Sequence, residues 1–267
     1  MDTRFWGPSG WRLLHLITFT YENEPSRRES VKEFFTMLPF VLPCKFCRAS
    51  FADYLEQEPL EPALASQAKL ERWLYKVHNL VNGKLRKQGL LKDPNPSFAS
   101  VKKVYEERIQ QGCMRTSFEG WDFLFSIAEN HPFSRSSKSS APMPDMPEEI
   151  WRSKDPVVRN RWNILKPDDR IPFYIRFWKA VGGSLPFLEW REAWENCLPK
   201  TNLLKGRSRW MKELWRIRCC LEEKLELVNR EKFDSVCARL QEHKSGCNKT
   251  KKARTCRRIR MTKKKNN

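Results

Sequence analysis

A chain of 267 residues can bury a real core and has room for two domains of ordinary size, and 12% aromatic residues, including 11 tryptophans, supply large apolar side chains. No run of eighteen apolar residues occurs, and Arg4 and Arg12 interrupt the start. Both facts argue against a spanning helix or a signal peptide, so a soluble protein is expected. The formal net charge of +19 is uneven: residues 1–110 hold 17 Lys and Arg against 13 Asp and Glu, whereas residues 244–267 hold 11 basic residues and no acidic one. That block is expected to be a disordered, solubilising tail with loose affinity for phosphate, able to touch nucleic acid.

The first helix is expected over residues 11–19, where Trp11, Leu14 and Leu16 repeat at helical spacing behind Pro8 and Ser9. A second apolar run, 31–38, should end before Pro39 and Pro43. A third helix should start at Cys44, carry Phe51 and Leu55 on one face, and stop near Glu58, before Pro59. The longest spans about 66–88: Leu70, Trp73, Leu74, Val77, Val81 and Leu85 form a wide stripe, and Gly89 is a natural stop. A shorter helix, 98–110, follows the breaker Pro94-Asn95-Pro96. No alternating strand pattern appears, so the expected class is all-α, a four-helix bundle with a short fifth helix.

Within it, Val41 to Phe51 reads VLPCKFCRASF. Two cysteines three positions apart can hold a metal, run redox chemistry, or be core thiols. Tetrahedral zinc needs four ligands, and no second such pair or close histidine pair exists. A thioredoxin-like motif would follow a strand, which the surroundings lack. Core thiols stay open, yet Pro43 puts Cys44 at a helix start, where the macrodipole favours thiolate. Nine cysteines without the even spacing of a disulfide scaffold also favour thiols that react, so redox chemistry is preferred.

No glycine-rich nucleotide loop is present. Two polar-aromatic clusters stand out instead. Trp11 and His15 lie one turn apart behind Trp6-Gly7-Pro8, and His78 shares a helix face with Asn82 in HNLVNGKL. Aromatic faces can stack on a flat heterocycle, while Asn and Lys can hold ribose and phosphate. Taken singly, each of these residues is also an ordinary amphipathic-helix residue.

Together, WGPSGWRLLH, LPCKFCRASF and ERWLYKVHNLVNGKLRK closely resemble, in order and spacing, the Erv/ALR family of flavin-dependent sulfhydryl oxidases over about residues 5–110. The resemblance implies a helical bundle that cradles FAD and passes electrons from protein dithiols to dioxygen, forming hydrogen peroxide. It implies that Cys47 lies against the flavin and Cys44 meets the incoming dithiol. It places Trp11, His15, His78, Asn79, Asn82, Lys84 and Tyr105 around FAD, with Gly7 allowing close approach. The short start is most similar to the versions encoded by large DNA viruses, which would place the chain in host cytoplasm or virion. A further cysteine pair that braces many relatives is missing, since only Cys113 is near. Relatives often relay through a second, mobile pair, for which Cys247 and Cys256 are candidates; the adjacent Cys219 and Cys220 are expected in a core.

Residues 116–243 echo the first half in order. Gly10-Trp11 matches Gly120-Trp121, Leu42-Pro43…Arg48…Phe51 matches Leu185-Pro186…Arg191…Trp194, Arg72-Trp73 matches Arg209-Trp210, and Phe98…Val101 matches Phe233…Val236. A degenerate, non-catalytic copy is expected, with a loop at 134–148. Phe187 and Trp190 then replace Cys44 and Cys47, Phe125 replaces His15, and Trp215 and Cys219 replace His78 and Asn82. An unrelated helical domain starting near Glu148 is the competing reading. The copy would dock on residues 1–115 as an intrachain pseudo-dimer, with homodimerisation also open. Against the oxidase stand a flavin-free dithiol exchange protein and a basic nucleic-acid-binding protein.

Overall fold

The chain starts its first helix earlier than its apolar periodicity suggests. In the computed structural model, which describes residues 2–112, 117–134, 141–198, 206–228 and 230–243, helix α1 spans Thr3–Phe19 and runs through Pro8. The Asp2 carboxylate accepts the Arg4 backbone N–H at 2.9 Å, capping the first turn. Pro8 then removes only one ladder bond close to the start, a loss the cap offsets.

Helix α2, Pro25–Val41, likewise continues through Pro39, which was expected to stop it, and ends at Leu42 before Pro43. The Pro39 carbonyl would ordinarily accept from the amide four residues on, but residue 43 is proline and has no N–H. Asn160 supplies the missing donor: its Nδ2 meets the Pro39 carbonyl oxygen at 2.7 Å, with Asn160 itself buried. Asn160→Leu should therefore cost roughly 1–3 kcal/mol by orphaning a buried carbonyl, read as a lower urea midpoint at unchanged slope.

Helix α3, Lys45–Gln57, has Cys44 as N-cap. Helix α4, Gln67–Lys87, is capped by Ser66, whose hydroxyl accepts from the Lys69 amide at 3.3 Å. It terminates at Gly89, whose φ of +68° favours glycine. Helix α5 spans Phe98–Gln110. Leu70, Trp73, Leu74 and Val77 of the long stripe are buried, packed with Leu13, Ile17, Phe34, Phe35 and Leu38.

The second half continues with α6 (Trp121–Glu129), a 3₁₀ turn (Glu148–Arg152), α7 (Pro156–Arg161), α8 (Pro167–Ser184), α9 (Leu188–Cys197), α10 (Arg207–Lys224) and α11 (Phe233–Glu242). No strand occurs among the described residues, and no helix is long and apolar enough to cross a membrane. Helix α2 lies along α8 and α1 along α6, so both halves share one core. Phe40 stacks on Phe173 at 3.9 Å and Phe34 packs on Phe177 at 5.2 Å. At the edge of this seam the Ser184 hydroxyl donates to the Ser30 carbonyl and Arg176 pairs with Glu33. Gly120, at φ +107°, brings its Cα so close to Leu13 that an added Cβ would sit 2.6 Å from it.

The two halves share local details. Helix α8 ends before Pro186 as α2 ends before Pro43, and Phe187 occupies the N-cap of α9 as Cys44 does that of α3. Four positions past each cap, Arg48 donates to the Leu42 carbonyl at 3.0 Å and Arg191 to the Leu185 carbonyl at 3.2 Å.

The cysteines of α10 correct the expectation of a buried pair. Cys220 is joined to Cys197 of α9 by a disulfide with Cα atoms 5.8 Å apart, and Cys219 is exposed. Consecutive helical residues point about 100° apart, so only one of two adjacent cysteines can face the neighbouring helix. Cys113, Cys247, Cys256 and the tail at 244–267 lie outside the described residues.

Candidate functional site

Cys44 caps α3 with an extended backbone, and its carbonyl accepts the amides of Cys47 and Arg48, each at 3.0 Å. Cys44 is 4% exposed and Cys47 is half-buried one turn on. The first turn of α3 carries no acidic residue, so the positive end of its dipole acts on the pair unopposed, the setting that favours thiolate.

Cys47, and not Cys44, faces a cavity of about 590 Å³, within the roughly 300–1,000 Å³ range typical of small-molecule sites. Helix α1 lines it with Gly7 and Trp11, α4 with His78, Asn82 and Lys84, and α3 with Cys47, Ser50 and Tyr54; Phe123 of α6 closes one side. Its charged lining residues are Arg4, which is paired with Asp2, and Lys84, with no Asp or Glu, so the cavity suits an anion-bearing ligand with a flat apolar part. The Trp11 and His78 rings stack at 3.8 Å and 7°, making an aromatic wall. Lys84 Nζ donates to the Ser50 hydroxyl at 2.5 Å, and Asn82 Nδ2 to the Asn95 side chain at 3.1 Å.

Behind this wall, His15 Nε2 and His78 Nδ1 are 3.0 Å apart, and Tyr105 stacks on His15 at 4.9 Å. One histidine must donate and the other accept, so the contact excludes a doubly protonated pair. Burial, aided by His78 beside it, pushes His15 down to about 3, and burial pushes His78 down to about 4. Burial lifts Tyr105 to about 12. All three are neutral at pH 7. His15 Nδ1 is buried with no protein partner, a polar atom left for a ligand or water.

Of the residues singled out in the sequence, Gly7, Trp11, Cys47, His78, Asn82 and Lys84 line the cavity, while His15 and Tyr105 back it. Asn79 is half-buried on α4 and is not part of the lining. Sequence reading missed Ser50 and Tyr54, although both lie three and seven positions past Cys47 on the same helix face, a spacing that could have found them. It also missed Phe123, which no local pattern reveals because it reaches the cavity from the other half. Among the described residues, no cluster of His, Cys, Asp or Glu could hold a metal.

Comparison with known proteins reaches the same region. The Erv1 / Alr family model matches residues 8–106. A probable FAD-linked sulfhydryl oxidase of Acanthamoeba polyphaga mimivirus is 34% identical over 85 residues, 31% of this chain and 59% of that protein's length. The FAD-linked sulfhydryl oxidase of African swine fever virus (isolate Pig/Kenya/KEN-50/1950) is 32% identical over 106 residues, 39% of this chain and 82% of the viral protein. The mitochondrial FAD-linked sulfhydryl oxidase of Saccharomyces cerevisiae is 33% identical over 88 residues, 32% of this chain and 46% of the yeast protein. No solved structure matches the chain. With its three sequence motifs folded around one cavity and more than four-fifths of a relative's length covered, the chain belongs to the Erv1/Alr family.

Proposed function

We propose that the chain is a FAD-linked thiol oxidase that forms disulfides in protein substrates, with dioxygen as final acceptor and hydrogen peroxide as product. The observation that carries this reading is the half-buried Cys47 at the wall of an acid-free, aromatic cavity large enough for a cofactor. The cavity fits FAD: Trp11 and His78 offer ring faces, Lys84 offers charge for phosphate, and Asn82 offers an amide. Bound there, FAD would supply two-electron acceptance from the dithiol and transfer to dioxygen.

The chain's own part is thiol exchange and its environment. A substrate thiolate attacks Cys44 Sγ, the Cys44–Cys47 bond breaks, and Cys47 leaves as thiolate. A second substrate thiol loses its proton to solvent and displaces Cys44, so the substrate leaves as disulfide and the two electrons stay on the pair. The helix dipole favours both leaving thiolates, and the neutral histidines keep the cavity wall free of charge.

The second half is read as a copy kept for its surface, domain 116–243 beside domain 1–115. Supporting this are the shared proline stops and the parallel Arg48 and Arg191 bonds. Where the first half is hollow, the second is filled: the Arg218 guanidinium lies 5.3 Å from the Trp121 ring and 5.5 Å from the Trp215 ring, held by Glu222 at 2.6 Å. One flavin per chain follows. A visible spectrum with flavin quantitation and oxygen uptake on dithiothreitol tests both points. A colourless protein that consumes no oxygen would sink the oxidase, leaving flavin-free exchange, and two flavins per chain would sink the idle copy.

A further inference from the structure

Arg48 follows Cys47 directly and is 4% exposed. Its Nη1 donates to the Leu42 carbonyl at 3.0 Å and its Nη2 to the Asn163 side-chain oxygen at 2.8 Å, while its Nε is buried with no partner. None of its bonds reaches a carboxylate: it forms no ion pair among the described residues. Burying a guanidinium without a counter-charge is unfavourable, and such a cost is normally removed by pairing or by neutral replacement. Arg191, at the same position past the cap of α9, shows the ordinary solution, with Glu22 at 3.6 Å. The difference between the two sites lies in the cap residues: Phe187 and Trp190 stand beside Arg191, and Cys44 and Cys47 beside Arg48. Burial lowers the affinity of Arg48 for its proton, and the Cys44 and Cys47 sulfurs are the nearby groups that oppose this.

We propose that Arg48 is the resident counter-ion of the thiolates formed when Cys44 and Cys47 are reduced, and that Asn163, from the second half, is the residue that positions it. The inference rests on the thiol-exchange role of the pair given above. Asn163 suits the task. It sits in the left-handed region at φ +58°, at the end of α7, and its Nδ2 donates to the Ala141 carbonyl at 2.8 Å, which also accepts from Lys45 Nζ at 2.8 Å. Arg161, two residues earlier, pairs with Asp53 of α3, and Asn160 bonds the Pro39 carbonyl. The segment is thus pinned to α2 and α3 at three points, and the amide that orients Arg48 cannot drift. In the disulfide state the guanidinium has no anion. Reduction places up to two negative charges next to it, so the reduced state gains what the oxidised state lacks. Arg170 of α8, close enough for its proton affinity to be lowered by Arg48, adds to the same positive potential.

The test is the equilibrium of the Cys44–Cys47 pair with glutathione, acid-quenched, alkylated after unfolding and read on the peptide by mass spectrometry. Arg48→Met, neutral and of similar length, should move the equilibrium about tenfold towards the disulfide, close to 30 mV more reducing. Arg48→Lys, which keeps the charge, should stay within about threefold of wild type, and Asn163→Ala should shift part-way in the same direction. A natively folded Arg48→Met variant within twofold of the parent would overturn the proposal, as would a Lys variant as displaced as the Met one. Should the Met variant fail to fold, an unshifted Asn163→Ala decides against it. The equilibrium needs no flavin, so a colourless protein with an Arg48-dependent potential would refute the oxidase and leave this inference standing.

Discussion

Cys47→Ser and Cys44→Ser should each abolish turnover of a dithiol substrate, while only the Cys44 variant should keep a long-wavelength thiolate-to-flavin absorbance. Both losses follow from exchange chemistry, in which one sulfur is attacked and its neighbour must leave. A residual rate within tenfold of wild type in either variant would mean that the pair is not the electron entry point. The asymmetry follows from geometry: Cys47 lines the cavity and Cys44 does not. A Cys44→Ser protein leaves a Cys47 thiolate beside the cavity with no disulfide partner, whereas Cys47→Ser removes the sulfur that faces it. Absorbance of equal strength in both proteins would reverse the roles. Double replacement should be no worse than either single one, because residues that act as a unit do not add.

The helices of the first half were legible because their signals are local. Gly89 as a stop, the breaker Pro94-Asn95-Pro96 and the stripe from Leu70 to Leu85 each act within a turn or two. The start of α1 was misread because its cap, Asp2, lies ahead of the apolar periodicity, and the end of α2 because a distant residue acts there. Pro39 reads as a terminator, yet the helix runs two residues past it, and Asn160, over a hundred residues away, satisfies the carbonyl that Pro43 leaves without a donor. The same holds at the site. Three motifs carried Gly7, Trp11, His15, Cys47, His78, Asn82 and Lys84 to one place, since their spacing encodes which helix faces meet. Phe123 and Asn163 were invisible, because their roles depend on how the second half docks. Cys219 and Cys220 read as one feature, and the helix separates them into an exposed thiol and half of a disulfide.

The buried histidine pair should make the fold acid-sensitive in a defined window. Each histidine has its ordinary pKa near 6.5 when unfolded, and folding depresses His15 to about 3 and His78 to about 4. Below pH 6.5 the unfolded chain therefore binds protons that the folded chain refuses. Stability is fully present above that pH and falls as the pH drops towards 4, by up to about 1.4 kcal/mol per unit for each histidine. Below about 4 His78 can charge in the fold and only His15 continues to cost. Carboxylates elsewhere also contribute to acid unfolding, so the useful quantity is a difference. His15→Phe, which places at this position the residue that Phe125 supplies in the second half, should lower the slope of unfolding free energy between pH 6.5 and 4 by about 1.4 kcal/mol per unit relative to wild type. Loss of the Nε2 contact to His78 changes the height of the curve but not this slope. Urea titrations at half-unit intervals read both. Parallel curves for the two proteins would show that His15 charges freely in the folded state, and with it would go the neutral wall assigned to the cavity.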